Sequence, residues 1–570
     1  MEATTLDRPV EASRGWRDVP LRARPTRTRW RSLGPLLLYL ALALLFWGPW
    51  LVGDPGGRIL AANDIDPGAY LWFFSWWPHA LLHGLNPFQT DLIFAPEGYN
   101  LAWTTCMPGP SILLAPLTLA FGPAITWNVI SLASPALSAW TAFLLCRHVT
   151  RGALAPSLVG GYIFGFSPYM LGHLVGAPQL AFVALVPVAV LLFLRHAEGT
   201  LSDRSFVLAM TATFVAEFLV SLEILATMVL FGVLTVGLAA VVLEERRPAL
   251  RRTSVLAASA AGLGTILVSP MLFFAFAQPH ARPDHALISA PADLLSLVVP
   301  TYWSAISRSH AQAEVPSWAT GFSYLGVPLL VLIGLFWWHH RGVRVARLVV
   351  GAFAVVVVAA LGTSLEVSGT DTGVPLPWAV AAKMPLLRYA IPVRFMAFAF
   401  LAAGVIVALW LAWRPSVGRW MLAAVTLVVL APAVGNASWH TTLSDRPFFS
   451  QGGYESRLRQ TDRVLMIPAW GSNLRWQAQS GFSFRVVGGY VGAFPDSYSR
   501  YPIWAALLGG PLPANPAGEL RRLVRDKGAT AIIVDPAQTP RWRPLVETLG
   551  ARAVRTGGIF LYRLAPPPRG

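Results

Sequence analysis

"AANDIDPGAYLWFFSWWPHALLHGLNPFQTDLIFAPEGYN", residues 61–100, sets two acids, Asp64 and Asp66, and eleven aromatic or histidine side chains directly behind the first long apolar run of the chain. That run covers about residues 34–53, enough as a helix to cross the roughly 30 Å hydrocarbon core of a bilayer. A carboxylate is costly inside that core, so two acids at the edge of the run mark where the chain leaves lipid for water. "GAYLWFFSWWPHALLHG" then reads as an aromatic-rich amphipathic helix lying at the interface. Trp and Tyr favour that depth because their rings are apolar while their N–H and O–H stay wet. Asp66–Pro67 resembles a helix start, with Asp66 as N-cap and Pro67 at the first helical position. Asp64 is left as the acid to be explained by chemistry.

The rest of the chain repeats the first theme. Of 570 residues 55% are hydrophobic and 13% charged, against roughly 25% charged in a soluble domain. Apolar runs fall at about 34–53, 125–146, 153–169, 177–195, 205–221, 223–243, 253–277, 322–338, 347–364, 393–413 and 419–436, as expected of an α-helical polytopic membrane protein with about 11–13 transmembrane helices. The net charge of +16 does not point to nucleic acid, because most of the arginines sit in short clusters between apolar runs. Arg147/Arg151, Arg195/Arg204, Arg246/Arg247/Arg251/Arg252, Arg341/Arg344/Arg347 and Arg414/Arg419 all become cytoplasmic if the N-terminus is inside and 108–122 does not cross. "PGPSILLAPLTLAFG" is therefore re-entrant or interfacial. The outer face then collects the first loop (54–124), the turns at 170–176 and 221–223, the loops 278–321 and 365–392, and everything after the last span.

Three domains are expected on this reading: a disordered cytoplasmic tail over 1–33, preceding an uncleaved anchor; a membrane module over 34–439; and a small extracytoplasmic α/β domain over 440–570. In the last, "DRVLMIPAW", "SFRVVGGYVG", "GATAIIVDP" and "GGIFLYRL" are β-type runs bounded by Gly and Pro, and "RWRPLVETLG" is a helix ending on Gly550. Cys106 and Cys146 form no disulfide framework and no CxxC metal spacing. No repeat of twenty to fifty residues is present.

Further ionisable groups lie in or beside apolar runs: His173 in "SPYMLGHLVGAPQL", and Glu217 and Glu223 in "FVAEFLVSLEILA". His173 and Glu223 fall at outer turns, level with the first loop, and Glu217 is placed for a structural pair with Glu223. Before the tenth run, "AAKMPLLRYAIPVRFMAF" carries Lys383, Arg388 and Arg394 where outer positive charge is otherwise scarce. Snorkelling to lipid phosphates explains them, and so does a pocket for a phosphate-bearing lipid, since a guanidinium fork binds phosphate oxygens in pairs. The prolines around Tyr389 bend this entry to the span.

Together these features resemble the GT-C superfamily of membrane glycosyltransferases: an acidic motif, here "NDID", in the first outer loop, juxtamembrane helices after it, a short Pro-containing helix at 108–122, many spans and an outer C-terminal domain. "FGFSPYMLGHLVGAPQ", "RYAIPVRF" and "ATAIIVD … GGIFLYR" are also similar to YfhO-like bacterial multi-span proteins. The motif departs from the usual adjacent acids, because Ile65 separates Asp64 from Asp66.

The resemblance implies an inverting transferase that moves a sugar from a polyprenyl-phosphate donor to a cell-envelope glycan, lipid or protein at the outer face of the bacterial cytoplasmic membrane. It implies Asp64 or Asp66 as general base. Arg388, Arg394 and Lys383, with Tyr389 among them, would hold the lipid phosphate, and His173, Glu97 and Glu223 the sugar or acceptor. Some members use a divalent metal; Asp64 and Glu223 could supply oxygens to one, although no metal spacing is readable. Two other classes stay open: a lipid or polysaccharide transporter, which would place polar groups at the bilayer midplane in two related halves, and a non-catalytic membrane scaffold.

Overall fold

A computed structural model describes residues 33–277, 290–307, 321–384, 387–492 and 494–564. The expected N-terminal tail and most of the loop 278–321 lie outside the described residues. Every one of the eleven apolar runs holds a helix or a pair of helices, since backbone in lipid must satisfy its own hydrogen bonds. Among the described residues five helices are long and apolar enough to cross a membrane: Leu33–Leu51, Pro123–Val149, Pro178–Ala197, Leu222–Val242 and Pro392–Trp413. Glu244–Leu267 and Ser269–Phe276 pass the same test only together and are bent by 65° to one another, as a broken span or a re-entrant loop; Pro270, in the first turn after the break, has no N–H to carry the helix through. Leu154–Gly165, Val327–His340 and Val417–Leu430 are shorter apolar helices. Residues 108–122 break into Pro108–Leu113 and Ala115–Phe121, each far too short to cross.

We label the elements that frame the site α1 (Leu33–Leu51), α2 (Ile65–Leu82), α3 (Pro123–Val149), α4 (Pro168–Leu174), α5 (Leu222–Val242), α6 (Met396–Trp413) and α7 (Ser472–Gln479). Helix α6 is apolar on all sides and almost wholly buried, the pattern of a helix enclosed by others. Its tightest neighbour is Leu154–Gly165: a Cβ on Gly404 would lie 2.5 Å from the Gly160 carbonyl oxygen, and one on Gly160 2.6 Å from that of Gly404. Only two hydrogen side chains allow these backbones to touch. The arginine-rich turns gather at one end of the bundle, where Arg252 pairs with Asp203 at 2.7 Å, Arg344 with Glu245, and His148 with Glu198 at 2.9 Å.

The opposite end carries the first loop and the C-terminal segment. The latter holds a five-stranded sheet of β1 (Arg463–Ile467), β2 (Arg485–Val486), β3 (Ala531–Val534), β4 (Ala553–Thr556) and β5 (Ile559–Arg563), in the order β4-β5-β3-β1-β2. Strands β1, β2 and β3 run parallel, and β5 and β4 antiparallel. The runs read as strands in the sequence supply β1, β2, β3 and β5.

This sheet and the first loop share one hydrophobic core. Residues Leu92–Ala95, an irregular stretch, run beside β2, with Val486 N–H donating to Leu92 (2.8 Å), Ala95 N–H to Val486 (3.0 Å) and Phe94 N–H to Gly488 (2.8 Å). Buried Gln477 on α7 accepts from Trp72 Nε1 (2.8 Å) and donates to the Leu92 (2.7 Å) and Phe484 (2.9 Å) carbonyls. Helix α2 meets the C-terminal segment so closely that a Cβ on Gly68 would fall 2.2 Å from the Gly471 carbonyl oxygen.

The aromatic side chains of α2 are therefore not an interfacial belt. Trp72, Phe74, Trp76 and Trp77 are buried inside the protein, with Phe482 edge-on to both Trp72 and Trp76. A helix apolar on every side needs cover on every side, and the C-terminal segment supplies it.

Candidate functional site

Helix α2 begins at Ile65, so Asp64 occupies its N-cap position and Asp66 the second helical residue. This reverses the expected assignment, in which Asp66 caps the helix; the Asp64 carboxylate itself makes no capping hydrogen bond. Two residues apart on a helix is about 200°, so the two carboxylates leave on opposite sides. Asp64 turns to the C-terminal segment, where a Cβ on Gly471 would sit 3.3 Å from its Oδ1. There it faces Arg475, whose guanidinium is pushed down to about 10 by burial against the opposing pull of Asp445 and Asp64.

Asp66 turns the other way. Its side chain is exposed to solvent, although protein gathers around it. Crowding by protein holds its carboxyl above the usual carboxylate range, while the Tyr490 hydroxyl and the Arg394 guanidinium pull it back down. Tyr70, one turn along α2, is buried beside it.

Arg394 stands in the single turn Pro392–Phe395 that leads into α6. The prolines that bend this entry deliver its side chain across the top of α5, where Nη1 pairs with Glu223 Oε2. Ser221 caps α5 by accepting from Ile224 N–H, and Glu223 lies in the first turn, where the helix dipole favours a carboxylate. The pair is partly open to solvent, at 21% for Arg394 and 25% for Glu223. Arg394 Nε and Glu223 Oε1 are both buried and have no hydrogen-bond partner among the described residues.

His173 completes the cluster from α4. Its Nδ1 donates to the Tyr169 carbonyl at 2.8 Å, which makes Nε2 the lone-pair nitrogen. Nε2 is buried and has no partner among the described residues. The ring is held between Tyr169 (4.3 Å) and Phe322 (4.2 Å). The Arg394 charge reaches Asp66, His173 and Tyr169 alike, so groups from α2, α4 and α5 lie within its field. A hydrogen bond from Ala62 N–H to the Val175 carbonyl (3.0 Å) ties the first loop to the turn after His173.

The structure thus brings together Asp66, His173, Glu223 and Arg394 out of the residues singled out in the sequence, and leaves the others elsewhere. Glu97 stands apart from this cluster, where it accepts from Lys527 Nζ and from Ser497 Oγ, both at 2.6 Å, at the seam between loop and C-terminal segment. Lys383, Arg388 and Tyr389 are exposed at the rim, with Arg388 Nη2 donating to Tyr389 Oη at 2.6 Å. They precede the Pro392 bend, which turns only Arg394 inward. Glu217, expected to pair with Glu223, is fully buried with neither oxygen partnered among the described residues.

Tyr490 was not legible as a site residue; its one signal is the Gly488–Gly489 pair before it. Among the described residues no group of three or more His, Cys, Asp or Glu side chains is placed to hold a metal. Asp64 and Glu223, the two acids considered for one, have different partners, and Arg394 already supplies positive charge to both Asp66 and Glu223.

In solved structures this architecture recurs. The arabinofuranosyltransferase AftD from Mycobacteria superposes with a TM-score of 0.62 at 13% identity over 97% of this chain and 41% of that one. The Archaeoglobus fulgidus oligosaccharyltransferase superposes at 0.52 and 11% identity in its apo form, over 94% of this chain and 75% of that one. Its complex with Zn and sulfate gives 0.53 and 11%, over 93% and 73%. The chain shares the fold of these two enzymes, and it spans about two fifths of the length of AftD. By sequence no curated protein matches it. The profile of one family matches residues 36–437, and the chain belongs to that family, described as a domain of unknown function, DUF6311.

Proposed function

We propose that this protein is an inverting glycosyltransferase that takes a sugar from a polyprenyl-phosphate donor and passes it to a cell-envelope acceptor, a glycan, lipid or protein, at the outer face of a bacterial cytoplasmic membrane. The observation that carries this reading is the juxtaposition of Asp66 with Arg394 at the mouth of the bundle, in a fold shared with an arabinofuranosyltransferase and an oligosaccharyltransferase.

Asp66 serves as the general base. Crowding by protein raises its basicity above that of an ordinary carboxylate, as proton removal from a neutral nucleophile requires. The acceptor oxygen attacks the anomeric carbon as its proton passes to Asp66. The bond from that carbon to the phosphate oxygen breaks, and its electron pair leaves with the lipid phosphate. Arg394, with one guanidinium nitrogen still unpartnered, stabilises the negative charge on the leaving phosphate. His173 Nε2 and Glu223 Oε1 accept hydrogen bonds from sugar hydroxyls, which would satisfy two buried atoms that lack partners. A single displacement of this kind inverts the anomeric centre. The arginine-rich turns at the far end of the bundle support a cytoplasmic N-terminus and an outward site.

The test uses the full chain in lipid nanodiscs with radiolabelled polyprenyl-phosphate sugars and envelope extracts as acceptors. Label should pass to an extractable acceptor with the wild type. With Arg394→Gln, which keeps a hydrogen-bonding side chain but no charge, transfer should drop at least a hundredfold. Wild-type transfer by Arg394→Gln would remove the proposed phosphate-holding role.

A further inference from the structure

We propose that a cleft at the far end of α2 from Asp66 binds the acceptor, and that the acceptor is an uncharged glycan chain; this rests on the glycosyltransferase reading above. The cleft holds about 570 Å³, within the size range of ligand sites, and opens between the end of α2 and two stretches of the C-terminal segment, 454–460 and 481–483. Asp66 and His79 stand thirteen residues apart on α2, or about 20 Å of helix. The cleft is thus separate from the Asp66 cluster, and only a long ligand reaches both.

The walls are built by two local devices. Helix α2 ends in a pair of stacked imidazoles: the His79 and His83 rings lie 4.2 Å apart, and His83 Nδ1 donates to the His79 carbonyl at 2.8 Å, which makes its Nε2 the lone-pair nitrogen. Facing them, Gly481 and Phe482 take φ values of +63° and +59°, a conformation that is strained for a phenylalanine. That turn places the Phe482 ring 4.4 Å from His79 and against Trp72 and Trp76. It leaves Ser483 on the wall of the cleft, with its Oγ buried and without a partner among the described residues.

The lining suits a sugar. The flat rings of His79, His83 and Tyr454 offer faces on which the C–H side of a sugar ring packs. Around them Glu455, Gln460 and Ser483 supply donors and acceptors for hydroxyls. The charge decides the class: in a chain of net charge +16, none of the described residues that line the cleft is Lys or Arg. Burial and the neighbouring His83 hold His79 below the usual histidine range, so it adds no positive charge at neutral pH. A lipid phosphate or an acidic polymer would meet the Glu455 carboxylate here and no guanidinium. A peptide is the competing occupant; extended peptides are held by the free main-chain groups of a strand edge, and none of the described lining residues lies in a strand.

The test uses the full chain in nanodiscs and neutral gluco-, manno- and arabino-oligosaccharides from mono- to hexasaccharide, with acidic oligosaccharides and unstructured peptides as further arms, read by ligand-observed NMR. The neutral chains should bind, the longer more tightly than the single sugars. The double variant His83→Ala/Gln460→Ala, which changes two exposed side chains, should weaken that binding about tenfold. In transfer assays KM for a long acceptor should rise by the same factor with kcat unchanged, the mark of lost ground-state binding. Absence of neutral-oligosaccharide binding to the wild type, preference for the acidic chains or the peptides, or unchanged binding in a double variant of wild-type melting temperature would each overturn the proposal. A second measurement needs no altered protein during binding: the imidazole C–H signal of His83, assigned by its loss in His83→Ala, should shift when hexasaccharide is added to the wild type, and a fixed signal refutes the site. Binding that depends on His83 and Gln460 in a chain that transfers no sugar upholds the cleft and refutes the glycosyltransferase reading; sugar transfer to a lipid or protein without oligosaccharide binding does the reverse.

Discussion

Gln477→Leu probes the seam between the first loop and the C-terminal segment, because Gln477 spends all its hydrogen bonds there. Leucine fills much the same volume but leaves the Trp72 indole N–H and the Phe484 carbonyl without their partner in a buried place. The Leu92 carbonyl keeps Val486 N–H at 2.8 Å and loses less. Each orphaned group costs about 1–3 kcal/mol, and the added apolar surface returns part of it. The net is about 2–4 kcal/mol, or roughly a 30- to 1,000-fold rise in the local opening equilibrium at 1.4 kcal/mol per factor of ten. Limited proteolysis of the purified chain in nanodiscs, under conditions where opening is faster than cleavage, reads that equilibrium directly. Cuts within 440–564 should speed up by that factor, and sugar transfer should fall with them because α2, which carries Asp66, is seated across the seam. A variant as resistant as wild type would show that the seam is not held by this residue.

Gly404→Leu should push α6 off Leu154–Gly165, since even a Cβ would lie 2.5 Å from the Gly160 carbonyl oxygen; overpacking of about 1–3 kcal/mol or more is expected, read as early thermal aggregation in detergent. Glu97→Gln should lower thermal stability, because it leaves Lys527 buried without its ion pair, while turnover per folded molecule, measured by active-site counting, stays within about threefold of wild type. For Asp66 the folded carboxyl is raised above its unfolded value, so its contribution to stability is fully present below the unfolded carboxylate range and is lost as pH rises through the folded value. Asp66→Asn should therefore match or exceed wild-type melting temperature at neutral pH, with the advantage shrinking in acid; a neutral-pH melting temperature below wild type would contradict this.

Much of the fold was legible because its causes are local. Apolar runs flanked by arginine announce helices that cross lipid, and β-branched runs between Gly and Pro announce strands. The arginine pattern of the loops announced that 108–122 would not cross. The site was only half legible. Asp66, His173, Glu223 and Arg394 stood out as ionisable groups at the ends of apolar runs, a placement with a cost that demands a reason. What the sequence hid is partnership across long separations. Tyr490 bears on Asp66 from more than four hundred residues away, and Glu97 pairs with Lys527 at a similar separation. The aromatic residues of α2 looked lipid-facing because their cover, α7 and Phe482, comes from the end of the chain. The N-cap position falls on Asp64 because the helix starts one residue before Asp66 rather than one after it.

The central claim is that Asp66, and not Asp64, is the base. Single-turnover transfer from a pre-bound, radiolabelled polyprenyl-phosphate sugar should be measured for Asp66→Asn and Asp64→Asn side by side, with donor binding checked by native mass spectrometry. The account predicts retained donor binding in both, a loss of about 10²–10⁴ in the chemical step for Asp66→Asn, and a rate within about tenfold of wild type for Asp64→Asn. Transfer that survives Asp66→Asn and fails in Asp64→Asn would contradict it.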